Sequence, residues 1–463
     1  MAGDIPSAVA DLIGAHAGAQ LPLDLAVELM GHLGWPAEDL AAERRAGLQS
    51  LVAHAKQRSP FYAKRLAHLD PSTLTEADLA SIPPLTKTEL MAHWDEVITA
   101  PGLTLERCER HLSRAGSDEL LIEGCRVVAS GGSSGLRAVM AYSDAEWSLF
   151  GASIIRWILR WMMRSGEAPS LQFVVAQVQS AVPTHMSGLL ARADWITSLH
   201  SFPVTLPLAE IVRGLNDAQP DCLVGYASSL RMLAEEALAG RLRAKPRLVL
   251  SGGEPLTLEE AQTLKIAWGA SIFDCYGSTE VGILAMNGGS TAGLYLNDDL
   301  AIIEPVDAQG RAVEPGERSA SLYVTPLRHR SLPLLRYELG DEVALLAEPC
   351  PEGLAFRRID HVQGRLDDVF TYSPGIRVHP IVFRSPLTRC RSITAYQVCQ
   401  TPHGADIAVI AAEPFDREAL EREIEAGLVG VGLPRPRVTI EERETIPRTS
   451  GGQKLRRFVP LPD

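Results

Sequence analysis

The sequence predicts an α/β fold: a large N-terminal domain of mixed and parallel sheets with packed helices, followed by a small α+β C-terminal domain. Three observations predict it. From about residue 125 short apolar runs alternate with stretches of helical period. Several of these runs stop at glycines, as at Ser251-Gly252-Gly253 and at Gly277. After Arg365 the order becomes strand, strand, helix, strand.

Each element has its own signal. Residues Pro6 to Arg65 are rich in Ala and Leu and predict helix, interrupted at Trp35-Pro36. Ile82 to Leu90 is an extended segment feeding a helix, because Pro83 and Pro84 hold the backbone extended. Leu171 to Val178 predicts a strand. Leu230, Leu233, Ala234, Ala237 and Leu238 fall at helical spacing, with Ser228 or Ser229 as the cap before them and Gly240 after. Arg247 to Leu250 and Ser271 to Tyr276 are short apolar runs halted by glycine. Such alternation predicts parallel strands with crossover helices, and ligands of such sheets sit past the carboxyl ends of strands. Further on, Ile393 to Gln400, Ala405 to Ala412 and Arg437 to Ile446 predict strands around an amphipathic helix from Asp416 to Leu428. The division is therefore 1–365, with 1–120 mainly helical, and 366–463, joined at the polar segment Gly364-Arg365-Leu366-Asp367-Asp368.

Composition sets bounds. A chain of 463 residues with 46% hydrophobic and 22% charged content buries a large core. The net charge of −13 argues against a nucleic-acid partner. Seven scattered cysteines without a C-x-x-C pair predict free thiols in a reducing compartment. No signal peptide is visible and no stretch reaches the ~18 apolar residues of a membrane span. A cytoplasmic enzyme without a membrane partner is the expectation, and a homodimer stays open.

The chemistry-bearing segments are ambiguous one by one. Ser130-Gly131-Gly132-Ser133-Ser134-Gly135 follows the apolar run Cys125 to Ala129 and offers backbone N–H groups and hydroxyls to an anion, or forms a plain turn. It fits neither the P-loop nor the dinucleotide fingerprint. Tyr276 alone reads as a buried strand-end tyrosine, and Thr279-Glu280 as a helix cap. Gly252-Gly253-Glu254-Pro255 alone reads as a turn into a helix.

Together the segments are specific. In order they are the loop at 130–135, Ser251-Gly252-Gly253-Glu254-Pro255, Tyr276-Gly277-Ser278-Thr279-Glu280, Arg336-Tyr337-Glu338-Leu339-Gly340-Asp341, the joint at 364–368, and Pro447-Arg448-Thr449-Ser450-Gly451-Gly452-Gln453-Lys454. This set resembles the adenylate-forming superfamily of acyl- and aryl-CoA synthetases, carrier-domain adenylation modules and luciferases. Ser59-Pro60-Phe61-Tyr62, Ile82-Pro83-Pro84-Leu85-Thr86-Lys87 and Val224-Gly225-Tyr226 resemble its phenylacetate–CoA ligase branch.

The resemblance implies ATP and Mg2+ as cofactors, an acyl-AMP intermediate, and transfer of the acyl group to the thiol of coenzyme A or of a carrier protein's phosphopantetheine. It implies that Ser130 to Gly135 cradle phosphates, that Gly252, Gly253 and Glu254 wall the adenine, and that Tyr276, beside Gly277 and Ser278, stacks on it. Thr279 would donate to the α-phosphate and Glu280 would hold Mg2+. Asp341 would bind the ribose and Arg365 the nucleotide. Asp367 would be the hinge of a mobile lid, and Lys454 would enter the site to stabilise the transition state. The small-molecule acid would lie near His185, Met186, Tyr226, Ser251 and Gly277, and the branch favours an aromatic acid. An amide- or ester-forming synthetase and a non-catalytic ligand binder are the alternatives.

The chain departs from the family pattern at three places. Leu136 replaces the loop lysine, with Arg137 one position later; Gln453 separates Gly452 from Lys454; and Arg377-Val378-His379-Pro380 is unlike the common form.

Overall fold

In the computed structural model, residues 20–114, 121–130, 137–166, 173–180, 186, 198–289, 293–360, 362, 370–373, 376–390, 392–446 and 458–461 are described. The chain opens with helices α1 (Gln20–His32), α2 (Ala37–Arg58) and α3 (Pro60–Arg65). The expected break at Trp35-Pro36 separates the first two. Ser59 caps α3 by accepting from Tyr62 N, with Pro60 in the first turn, where its missing N–H is not needed. On α2, Leu40, Leu48, Leu51, Val52 and Ala55 form the buried stripe.

The segment 82–85 is extended, as its prolines require, and it is used as a strand. Leu85 N–H donates to Arg336 O at 3.0 Å, and Glu338 N–H donates to Leu85 O at 3.0 Å. Thr86 then caps α4 (Lys87–Ala92) through Glu89 N–H, so Lys87 is the first residue of that helix. Helices α5 (Trp94–Val97) and α6 (Leu105–Arg114) lead to a three-stranded sheet of β1 (Leu121–Ile122), β2 (Cys125–Ala129) and β3 (Val139–Ser143).

The long helix α7 (Asp144–Ser165) starts on a capping box between Ser143 and Glu146 and ends on Gly166 at φ +75°. Next come β4 (Val174–Gln179), β5 (Ser198–Pro203), α8 (Leu208–Ala218), β6 (Cys222–Gly225), α9 (Ala227–Leu238), β7 (Leu248–Gly252), α10 (Leu258–Trp268), β8 (Ser271–Ser278), β9 (Gly282–Met286) and β10 (Leu294–Leu296). With β14 (Arg358–Ile359) they form an eight-stranded sheet in the order β14-β10-β9-β8-β7-β6-β4-β5. The pairings from β5 to β8 are parallel, and those of β9, β10 and β14 are antiparallel. Helices α8, α9 and α10 cover one face through a core that includes Val178, Leu223, Leu230 and Val249. The other face joins the main core with Trp157, Leu250 and Phe273. Strands β11 (Ala301–Val306), β12 (Ser321–Pro326) and β13 (Tyr337–Leu339) make an antiparallel sheet.

The C-terminal part carries the hairpin β15 (Phe370–Ser373) and β16 (Ile376–Val378), then α11 (Ile381–Arg389), β17 (Ile393–Thr401), β18 (Gly404–Ala411), α12 (Arg417–Gly430), β19 (Arg437–Glu442) and β20 (Phe458–Val459). It has a core of its own around Phe370, Phe383, Ile424, Leu428 and Phe458. Asp416 caps α12 through Ala419 N–H.

Two expectations are corrected. Strand β19 stops at Glu442 rather than Ile446, because its pairing with β18 runs out at Val409 and Glu442. Helix α9 begins at Ala227, so Ser228 and Ser229 lie inside its first turn; Tyr226 holds the cap position without a side-chain bond. All seven cysteines are free thiols. Among the described residues no helix is long and apolar enough to cross a membrane.

Candidate active site

The glycine stops converge where parallel sheets place ligands. Gly225, Ser251 and Asp274 are register partners across β6, β7 and β8. Ser251 is fully buried, and its Oγ has no hydrogen-bond partner among the described residues. Gly253 has φ +81°, and a Cβ there would lie 3.1 Å from the Tyr226 ring. A Cβ on Gly277 would lie 2.4 Å from Gly282 O, so only glycine lets β8 fold back as β9. Tyr226 is buried, and its hydroxyl accepts from Ser180 N–H at 3.2 Å.

Glu254 lies beside these glycines with both carboxylate oxygens engaged. Oε2 accepts from Ser228 N–H at 3.1 Å and from Ser228 Oγ–H at 2.6 Å, which caps α9 from outside the helix. Oε1 is 2.8 Å from His379 Nε2. Burial pushes this carboxyl up, but His379 and the Ser228 donors outweigh it and bring it down to about 2.

Tyr276 is half-buried and donates its hydroxyl to Asp341 Oδ2 at 2.8 Å. Burial and the Asp341 carboxylate hold its phenol well above the usual range, so it remains a donor. Thr279 and Glu280 fall in the turn between β8 and β9, and no helix follows that they could cap. Thr279 O accepts from Tyr142 Oη–H at 2.5 Å. The Glu280 backbone N–H donates to Ser278 Oγ at 3.3 Å. The Glu280 carboxylate is buried and meets Lys87 Nζ at 2.8 Å. Burial and Glu280 both push the neighbouring Tyr142 and Tyr337 phenols upward.

Lys87 is the residue that sequence reasoning passed over as a site residue. Its ammonium contacts Glu280 and also donates to Ser130 Oγ at 3.4 Å. It thus links the start of the glycine–serine loop to the acidic end of the Tyr-Gly-Ser-Thr-Glu motif. Its sequence signal was the Thr86 cap, which fixes Lys87 at a helix start. Arg137, the candidate substitute for a loop lysine, is paired with Glu109 at 3.5 Å.

Arg336 has a structural role. Its guanidinium binds Ile82 O at 2.7 Å and Glu304 at 3.0 Å, and its backbone sits at φ +50°. It staples 82–85 to the start of β13. Asp274, also passed over, is buried, and burial lifts its carboxyl to about 7.

Several predicted site residues lie outside the described residues: Gly131, Gly132, Ser133, Ser134 and Gly135 of the loop, His185, Arg365, Asp367 and Lys454. Met186 is buried in the main core. Among the described residues no cluster of three or more His, Cys, Asp or Glu can hold a metal ion. Glu280 as a single carboxylate suits Mg2+ only together with phosphate oxygens, which is how that ion is usually held.

No protein-family model matches the chain. It is 26% identical to the phenylacetate–coenzyme A ligase of Thermus thermophilus over 462 aligned residues, covering 92% of this chain and 97% of the relative. It is 24% identical to the phenylacetate–coenzyme A ligase of Pseudomonas putida, covering 74% of each. Its fold matches 2-hydroxyisobutyryl-CoA ligase in an open conformation with 2-HIB-AMP and CoA (TM-score 0.56, 20% identity, 94% of each chain). It also matches the thioesterification state of that ligase (TM-score 0.59, 20% identity, 93% and 91%). The chain shares the fold of that ligase. In sequence the chain is similar, over most of its length, to phenylacetate–coenzyme A ligases.

Proposed function

We propose that this protein joins an aromatic carboxylic acid to coenzyme A at the expense of ATP. The observation that carries it is one run of contacts, Ser130 to Lys87 to Glu280, ending beside the Tyr276–Asp341 pair at the carboxyl ends of β7 and β8. The aromatic acid is supported by the substrate in the two relatives' names.

In the first half-reaction a carboxylate oxygen of the acid attacks the α-phosphorus. The O–P bond forms as the α–β phosphoanhydride breaks and pyrophosphate leaves. Tyr276, tied by its hydroxyl, presents a fixed ring face to the adenine, and Asp341 accepts from the ribose hydroxyls. Lys87 supplies, from helix α4, the positive charge that Leu136 removes from the loop. Glu280 would hold Mg2+, which when bound offsets phosphate charge. Lys454 stabilises the charge that develops at the α-phosphate. In the second half-reaction the thiolate sulfur bonds to the acyl carbon and AMP departs with the mixed-anhydride oxygen. Residues 1–365 form the adenylating domain and 366–463 a lid turning at Asp367, with Arg365 at the nucleotide.

The test is pyrophosphate release from a panel of aryl, alkyl and amino acids, each with coenzyme A, a phosphopantetheinylated carrier or an amine. Release restricted to aryl acids with thioester formation on coenzyme A is the expected result. A carrier-only or amine-only product, or release with alkyl acids alone, overturns it.

A further inference from the structure

We propose that His379 is a positioning residue: with Glu254 it forms a latch that docks the C-terminal part against Tyr226 and the glycine turn after β7, and release of the latch gates the thiol-transfer step. The gating clause rests on the two-step ligase function proposed above; the docking clause does not.

The latch is built from five consecutive residues, Arg377 to Ile381. His379 is 2% exposed and comes from the turn after β16. Ile381 N–H donates to His379 Nδ1 at 3.1 Å. Nδ1 is therefore an acceptor, the ring proton is on Nε2, and Nε2–H donates to Glu254 Oε1 at 2.8 Å. The imidazole stacks on Tyr226 with centroids 5.0 Å apart and planes at 21°. Ile381 is buried in the core of α9 and its neighbours, with Tyr226, Ala227 and Leu230. Arg377 pairs with Glu235 on α9. The same five residues thus supply an aromatic stack, a charge-assisted hydrogen bond, an apolar peg and an ion pair, all against one helix and the turn that follows β7.

The rest of the C-terminal part has a separate core, which holds Phe370, Phe383, Ile424 and Phe458. Glu254 is the shared element. One oxygen caps α9 and the other receives His379, and its residue forms part of the wall expected at the adenine. Unlatching leaves a buried carboxylate with two of its three donors, so undocking has a defined cost. This gives the unusual Arg377-Val378-His379-Pro380 segment a physical account. A lost hydrogen bond to a buried charge shifts a docked-to-undocked ratio by about tenfold or more.

The test uses the full-length protein carrying non-cysteine fluorophores at the exposed positions Leu258 on α10 and Val429 on α12. Single-molecule energy transfer is compared for the parent, His379→Phe, which keeps the stack but not the bond, and His379→Gln, which keeps a donor. Both half-reactions are timed separately, as pyrophosphate exchange and as thioester formation from preformed adenylate. The expected result is a second distance population in His379→Phe, restored toward the parent by His379→Gln. The ratio of the two half-reaction rates should change by at least about threefold with the same rescue. An unchanged distance distribution in folded His379→Phe overturns the latch, and a changed distribution with an unchanged rate ratio overturns the gating. If the parent makes no adenylate, the proposed function fails while the distance measurement still decides the latch.

Discussion

Replacing Lys87 by methionine removes the ammonium and keeps most of the side chain. Nζ lies 2.8 Å from Glu280 Oε1, with side-chain exposures of 18% and 5%. At an effective dielectric of about 20 the gross attraction at that distance is about 6 kcal/mol. Desolvation offsets much of it, and removing one partner of a largely buried pair typically costs about 3 kcal/mol net. The variant therefore loses stability, because Glu280 must stay charged without a partner or take up a proton. Activity falls separately. A fixed donor aimed at developing phosphate charge contributes about 100- to 1000-fold in kcat. Acid-dependent pyrophosphate exchange and denaturant unfolding are measured on Lys87→Met, Glu280→Gln and the double variant. The double variant should regain about 1–2 kcal/mol over the sum of the singles, since it leaves no unpaired charge. It should regain no activity. If Lys87→Met exchanges pyrophosphate at the parental rate with the same ATP dependence, Lys87 does not serve the phosphates.

Asp274→Asn tests the buried carboxyl on β8. Its carboxyl moves from the ordinary 3.8 to about 7, so its contribution to stability is full below pH 3.8 and is lost as pH rises through 7. At about 1.4 kcal/mol per pH unit this amounts to about 4 kcal/mol, so Asp274→Asn should be more stabilising at pH 8 than at pH 4 in denaturant titrations; a flat difference refutes it. Gly277→Ala places a Cβ about 2.4 Å from Gly282 O and should destabilise by about 3 kcal/mol or more, read as a lower unfolding midpoint. Lys454→Ala should lower pyrophosphate exchange by at least about 100-fold while ATP binding, followed by calorimetry, stays within about threefold; normal exchange removes Lys454 from the reaction.

The legible parts of this protein were those set by local chemistry. The Trp35-Pro36 break and the extended prolines at 83 and 84 each follow from one or two residues, whereas Asp416, read as the first residue of its helix, is the cap before it. The glycine turn after β7 was readable because Gly253 needs a backbone angle that other residues rarely adopt, whereas β8 does not stop at Gly277 as expected but runs through it to Ser278. The boundary of β19 was missed because a strand ends where its partner does, and that partner is distant in sequence. The cap of α9 was missed for the same kind of reason: the group that satisfies Ser228 N–H is Glu254, 26 residues on.

Reading along the chain gives the order of the elements and six motifs that resemble those of the adenylate-forming superfamily. Periodicity, proline and glycine act within a few residues, and motif order is read along the chain. The tertiary structure alone decided that Arg336 is a staple, that Lys87 faces Glu280, and that His379 reaches Glu254. Each of those pairings joins residues more than a hundred positions apart. A charged side chain's partner is chosen by which surfaces the packed sheets and helices bring within about 3 Å, and no local pattern carries that distance.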